Sequence, residues 1–353
     1  GAISSDLAAV TNTRLQGKIN ELSQEHHRLG NEVSALGGRF GLLAGSIIGA
    51  IPGFMVYKAA EFQKSLSELS AITGATGAQL DFMSAQALHL ASTTTHSATD
   101  VLTAYKLIAS AKPDLLDNAA ALTQVTEKIL ILSDAAGMSL PDAATALGGA
   151  MNQFGAQANE AGRFINVMAA GAKYGSSEIN QTAEALKVVG TVAANMKISF
   201  EETNAAIQAM ATVSLKGSEA GTGFRSVLFH LAAQSRDDWN PEVVGLTKAL
   251  ENLKAAHLTS TEKMKLFGLE AVTAASALLS QADSMGQLKA QVTDTNVALE
   301  QAAAQNNNLI GDVSRLTSKI DAFGITLGNT TTGPLRGFIG ALSNATDHWR
   351  IWM

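Results

Sequence analysis

The 353-residue sequence predicts an all-α protein, a multi-helix core of short packed helices flanked by long coiled-coil-like helices. Three observations predict it. Helix-start signals recur along the chain. No run of β-branched and aromatic residues alternates with period two long enough to make a strand. The five prolines leave long stretches without a breaker.

The start signals are Ser97–Asp100, Ser139–Asp142, Ser199–Glu202 and Thr259–Glu262. In each, a hydroxyl can accept from the amide three residues on, while the acid helps satisfy the first turn. Pro113 and Pro141 fall where a helix begins, a position at which the missing N–H costs nothing. The resulting map has helices over 6–36 and 39–72. Shorter ones follow over 77–93, 98–111, 113–136, 140–154, 159–174, 177–197, 200–215 and 218–234. The acidic turn from Arg236 to Pro241 interrupts the pattern, and helices resume over 241–256, 260–267 and 268–282. A long helix is expected over 285–327, then a Gly- and Thr-rich breaker from Gly328 to Gly333 and an amphipathic stretch to Met353. The implied division is 1–38 (coiled-coil helix), 39–59 (apolar Gly-rich helix), 60–236 (helical core), 237–284 (helical extension), 285–327 (coiled-coil-like helix) and 328–353 (tail).

Composition agrees. Hydrophobic residues make up 46% of the chain and aromatics only 5%. Alanine dominates the apolar fraction, which suits helices packed at short distance. The net charge of −6, with no basic run longer than two residues, gives no electrostatic reason to bind nucleic acid. The absence of cysteine excludes disulfides and thiolate metal sites and fits a reducing compartment. The first ten residues lack the pattern of a secretory signal. The sequence also lacks a starting Met, so it reads as a trimmed or processed product.

Two heptad seams stand out. In the first, Ile19, His26 and Val33 take one apolar position and Leu15, Leu22, Leu29 and Leu36 the other. In the second, Val292, Leu299, Val313, Ile320 and Leu327 take one, and Leu288, Ala302, Leu309, Leu316 and Phe323 the other. Asn306 falls at an a-like site, where a polar residue can fix register and oligomer state. Self-association through a seam is one reading; ordinary helices docked on the middle of the chain is the other.

From Phe40 to Tyr57 no residue is charged, and Gly37, Gly41, Gly45, Gly49 and Gly53 recur every fourth position. On a helix this makes one glycine-lined stripe, which lets another backbone approach closely. Each glycine costs roughly 0.8–1 kcal/mol against alanine, so close packing must offset it. One reading is a helix sealed inside an oligomer or a tube. The other is a membrane-active segment, a transmembrane helix at some stage, near the lower length limit for crossing a bilayer.

Catalytic, cofactor-binding and metal-binding sets are not found. No two histidines carry the spacing of a zinc peptidase, and no nucleophile elbow occurs. Glu201–Glu202 opens a helix, where negative charge complements the dipole. The Gly-rich stretch from Lys216 to Arg225 lacks the Lys-Ser/Thr ending and the preceding strand of a phosphate loop, so it reads as a tight helix–helix turn.

That stretch, KGSEAGTGFRSVLFHL, resembles the signature turn of the core region of bacteriophage tail tape measure proteins. Residues 60–76, 107–155 and 198–225 are similar to other blocks of that core. The signature positions are Gly217, Ser218, Ala220, Gly221 and Arg225. One departure is Val167–Lys173, where the family pattern has an acidic residue near the helix start. The resemblance implies a non-enzymatic virion protein without cofactors, made in the host cytoplasm and held in several copies, as trimers or hexamers, in the lumen of the tail tube. It implies a role in setting tail length, contacts with the tube protein and with tip or baseplate hub proteins, and expulsion at infection to help the genome cross the host inner membrane. Tape measures are usually longer, which agrees with a fragment, a processed form or a short member. A pore-forming or translocator-type helical protein is the competing reading, because it too would hide an apolar helix in an amphipathic bundle.

Overall fold

The structure is a computed structural model. It describes residues 41–326, with side chains from Tyr57 onward. The chain divides into two compact units, 60–326 and 1–59 with 327–353. Of the second, only the helix over 41–59 lies among the described residues. The first seam, Leu15 to Leu36, Gly37 and the C-terminal tail therefore lie outside them.

Among the described residues there are helices and no strands. The helices are α1 (Gly41–Thr73), α2 (Ala78–Thr93), α3 (Ala98–Ala111), α4 (Ala119–Ala136), α5 (Leu140–Gln153), α6 (Ala161–Tyr174), α7 (Ile179–Asn195) and α8 (Phe200–Ala211). After them come α9 (Gly217–Ala232), α10 (Pro241–Val244), α11 (Leu246–Ala255), α12 (Ser260–Ser280), α13 (Ala282–Val292), α14 (Val297–Asn306) and α15 (309–326).

The expected starts are real. Ser97–Asp100 and Thr259–Glu262 close complete capping boxes. Ser139 and Ser199 accept from the amides of Asp142 and Glu202. At Ser199 the acid does not turn back to the cap; it bonds to distant elements instead.

The backbone of Gly41, Gly45, Gly49 and Gly53 lies within α1. The transmembrane expectation finds no support. No helix among the described residues is long and apolar enough to cross a membrane, and those residues do not include the side chains of 41–56. Beyond Tyr57, α1 continues through Lys58, Glu61, Lys64 and Glu68, and Glu68 pairs with Lys106 at 2.6 Å.

In the 60–326 unit, α8 is the central helix. It packs against α6, α7, α9, α12 and α13, and every one of its residues is buried. Helices α2 to α5 pack on one another, α4 packs on α6, and α5 packs on α6 and α7. Residues 237–284 and 285–326 join the same unit as 60–236. Buried Phe62, Phe164, Phe200, Phe224 and Phe267 are among the largest side chains of a core rich in alanine and leucine.

Three expected helices are divided, and two others join across a kink. The 113–136 helix is a 3-10 turn over Pro113–Leu115 followed by α4. The 241–256 helix splits at Gly245, with φ 82°. The two helices expected over 260–282 merge into α12 across a kink at Gly268, with φ 67°. The long helix over 285–327 becomes α13, α14 and α15. Its breaks are Thr293–Asn296, with Asp294 at φ 52°, and Asn307–Asn308. Both breaks are held by distant partners: the Ala298 amide donates to Asn166 Oδ1 at 3.1 Å, and Asn306 Nδ2 to Asp134 Oδ2 at 2.7 Å. Asn306, expected on a helix seam, is spent on that bond.

Candidate functional site

The signature stretch forms the start of α9, pressed between α7 and α12. Gly217 enters the helix at φ 57°, a left-handed conformation that side chains other than glycine adopt at a cost. One turn on, a Cβ on Gly221 would lie 2.5 Å from the Ala185 carbonyl oxygen and 2.9 Å from Val188 Cβ. On the other side, a Cβ on Gly223 would meet Ala274 Cβ at 2.7 Å. Ala220 and Phe224 are fully buried between these contacts. The small residues therefore set the distance at which three helices cross.

The other signature positions serve no such purpose. Ser218 is exposed, and Arg225 is half-buried without a hydrogen bond or ion pair among the described residues. Of the three glycines only Gly217 lies at the turn; Gly221 and Gly223 lie within α9, at its crossings with α7 and α12.

Next to this junction, α8 carries a line of buried polar groups that sequence reasoning missed. Glu201 bonds Arg163 at 2.5 Å, and Arg163 also takes Glu160 at 3.0 Å. Glu202 accepts from the Thr247 amide at 2.9 Å and from its hydroxyl at 2.5 Å, and lies 3.5 Å from Lys289. One carboxylate thus ties α8 to the first turn of α11 and to α13. Gln208 accepts from the amides of Ser176 and Ser177 and donates to the Ser177 carbonyl and the Thr182 hydroxyl, filling its capacity. The available signal was the density of polar residues in 201–208, which an exposed face would also explain.

Asn204 is different. It is fully buried, and neither atom of its amide has a partner. It sits over Gly171 of α6, where a Cβ would come within 2.2 Å of its Oδ1. Burying an unpaired amide costs roughly 1–3 kcal/mol, and an apolar group of the same shape avoids that cost. Asn204→Leu should therefore raise stability by about 1 kcal/mol, read as a higher urea midpoint at unchanged slope. A lower midpoint would mean that the amide is stabilising where it stands.

Beside α8, Phe164 stacks on Phe200 with centroids 4.2 Å apart, and Phe154 meets Phe200 edge-on at 5.2 Å. Arg163 lies 4.9 Å over the Phe164 ring, so its charge is placed by an aromatic face and two carboxylates. The Gln157 amide and Arg163 hold the Glu160 carboxyl below the usual carboxylate range. A depressed folded-state value stabilises above the ordinary carboxylate pKa, and that gain is lost as pH falls through the folded value. Glu160→Gln should therefore lower stability at pH 7 and have little effect at pH 3, checked by urea denaturation at both.

No group of three or more His, Asp or Glu among the described residues could hold a metal ion. His96 instead bonds Asp134 at 3.0 Å. The arrangement offers close helix crossings and buried polar ties, the equipment of a packing module.

Comparison with known proteins agrees with the signature. The family model of phage-related minor tail proteins matches residues 84–311, from α2 into α15 and across the whole α7–α9 junction. The chain belongs to that family. This phage minor tail protein is similar to the tape measure protein of Pneumococcus phage Dp-1, with 28% identity over 81% of the chain and 26% of that relative. It is also similar to the probable tape measure protein of Escherichia phage P2, with 27% identity over 91% of the chain and 42% of that relative. The chain thus spans less than half the length of either curated relative. No solved structure matches it. The tape measure resemblance seen in blocks from residue 60 onward holds over a longer span, and the minor tail protein is a structural component of the phage tail.

The sequence-derived seam residues take two positions. Leu309, Val313, Leu316 and Ile320 are 78%, 53%, 42% and 50% exposed on α15. Val292 and Ala302 of the same heptad frame are buried.

Proposed function

We propose that this chain is the helical core of a tape measure protein. It lies in the tail tube lumen with other copies of itself, contacts the tube protein and the tip or baseplate hub, and contributes to setting tail length. It is expelled at infection and assists genome delivery across the host inner membrane. The observation that carries this reading is the similarity to two tape measure proteins over most of the chain, beside a packed signature junction. A compact unit cannot add length at the 1.5 Å per residue of a straight helix, so residues 60–326 add less than a continuous ruler of the same length.

The test is an in-frame deletion of residues 60–236 in the phage gene, with tails measured by electron microscopy and DNA delivery measured by infection. Tails of altered length, or none, are expected. Tails of unchanged length and number would sink the length-setting part. Altered tails that deliver DNA normally would remove the delivery part.

A further inference from the structure

We infer that the outer face of α9, framed by α7 and α12, docks an acidic amphipathic helix of a partner protein. Three observations carry this.

The first is that α9 has two sides with different duties. Ala220, Gly221, Gly223 and Phe224 face the helices it crosses. Ser218, Thr222, Arg225 and Phe229 recur at i, i+4, i+7 and i+11, which is one stripe of a helix. Ser218, Thr222 and Phe229 are exposed, and Arg225 is half-buried. The side chains of Ser218 and Arg225 make no hydrogen bond among the described residues. Packing of the 60–326 unit thus makes no use of these two signature positions.

The second is the apolar content of that side. Phe229 is 53% exposed, and Met264 and Leu269 of α12 are 47% and 77% exposed. Helices α9 and α12 run in opposite directions, because Gly223 lies against Ala274 and the His230 ring 6.2 Å from the Phe267 ring. Met264 and Leu269 flank Phe267 in sequence, so they stand level with Phe229. Helix α7 runs with α9, since Gly217 lies by Glu184 and Gly221 by Ala185 and Val188. The end of α7, followed by Lys197, therefore reaches the same level. Three large apolar side chains left in water at one end of a three-helix layer are anchors of the kind that a partner helix covers.

The third is charge. Lys187, Lys197, Lys216, Arg225, Lys263 and Lys265 stand on or next to these three helices, and none makes an ion pair among the described residues. Elsewhere Lys106, Lys128, Arg163, Lys173, Lys254 and Lys289 are each held by a carboxylate. The carboxylates of the three helices are partly spent. Glu178 and Glu262 bond the starts of their own helices, and Glu184 lies over Gly217. Glu219 and Glu270 are left to oppose these cations, in a chain whose net charge is −6. An acidic partner supplies the missing anions, and that complementarity selects it. A second copy of the chain does not, because face to face it sets the cations against their own counterparts. A DNA duplex would match the charge and leave the apolar anchors bare.

The test uses the full chain and a fluorescein-labelled helical peptide of Leu, Ala and Glu, about 18 residues long, with Leu at i, i+4, i+7 and i+11. Fluorescence anisotropy should show binding at least tenfold tighter than for the same peptide with Gln in place of Glu, weakening as salt rises. Arg225→Glu combined with Lys263→Glu should weaken binding at least tenfold. Phe229→Ser should weaken it as much while leaving its salt dependence unchanged. Lys319→Glu, at an exposed cation of α15 that likewise makes no ion pair, should have no effect. Circular dichroism checks that the variants fold; if Phe229→Ser does not, Leu269→Ser takes its place. Absent binding, equal binding of the two peptides, or full binding by the Arg225→Glu and Lys263→Glu variant overturns the inference. So does tighter binding to phosphatidylglycerol vesicles or to a DNA duplex than to the acidic peptide. The measurement is made on the purified chain and does not require that it set tail length, so failure here is separate from failure in the phage.

Discussion

Gly221→Leu is expected to open the α7–α9 junction and to destabilise the 60–326 unit by about 3 kcal/mol, the upper end for overpacking. The first atom that the new side chain meets is the Ala185 carbonyl oxygen, 2.5 Å from the position of its Cβ. That oxygen belongs to a helix backbone and cannot swing aside as a flexible side chain can. Val188 Cβ at 2.9 Å blocks the other direction. The helices must separate, which uncovers Ala220 and Phe224. For a domain of this size the melting temperature should fall by ~5 °C. Thr222→Leu is the control, since Thr222 is exposed on the same helix and should change stability by less than about 0.5 kcal/mol. Equal effects of the two changes would show that the close crossing is unimportant.

Glu202→Ala is expected to cost about 3 kcal/mol, for a different reason. The carboxylate is nearly buried, with its side chain 10% exposed. Its removal leaves the Thr247 amide and hydroxyl unpaired at the start of α11 and leaves Lys289 of α13 without its anion. Lys289 is 43% exposed, so water compensates it in part and the loss stays below that of a sealed pair. Glu202→Gln keeps an acceptor for Thr247 and should cost about 1 kcal/mol. Urea denaturation of the two variants separates the contributions. Hydrogen exchange should show that α11 and α13 loosen together in Glu202→Ala. Equal loss in both variants would mean that the Lys289 charge, and not the bonds to Thr247, carries the effect.

The two residues differ in how far the sequence betrays them. Gly221 stands in a Gly-rich stretch whose resemblance to a family signature marked it, and a tight helix–helix turn was the natural reading of its residues. Which neighbour it approached could not be read, because Ala185 lies on another helix with no local signal. Glu202 was legible only as a helix-opening acid after Ser199. That assignment is right for the hydroxyl, which takes the Glu202 amide, and silent about the carboxylate, which leaves for Thr247 and Lys289. Asn204 and Gln208 look alike in sequence, yet one is unpartnered and the other fully bonded.

The all-α class, the starts of most helices and the stretch that bears the family signature are legible in the amino-acid order alone. Those features rest on contacts within a few residues: a cap hydroxyl and an amide three positions on, or an apolar stripe at helical spacing. The burial of α8 on every side and the two breaks within 285–326 are visible in the folded chain alone. Both depend on partners far away in the chain, Arg163, Thr247 and Lys289 for the first, Asn166 and Asp134 for the second. A long-range bond can override local helix propensity because it replaces a backbone contact worth about 1 kcal/mol with one of similar strength.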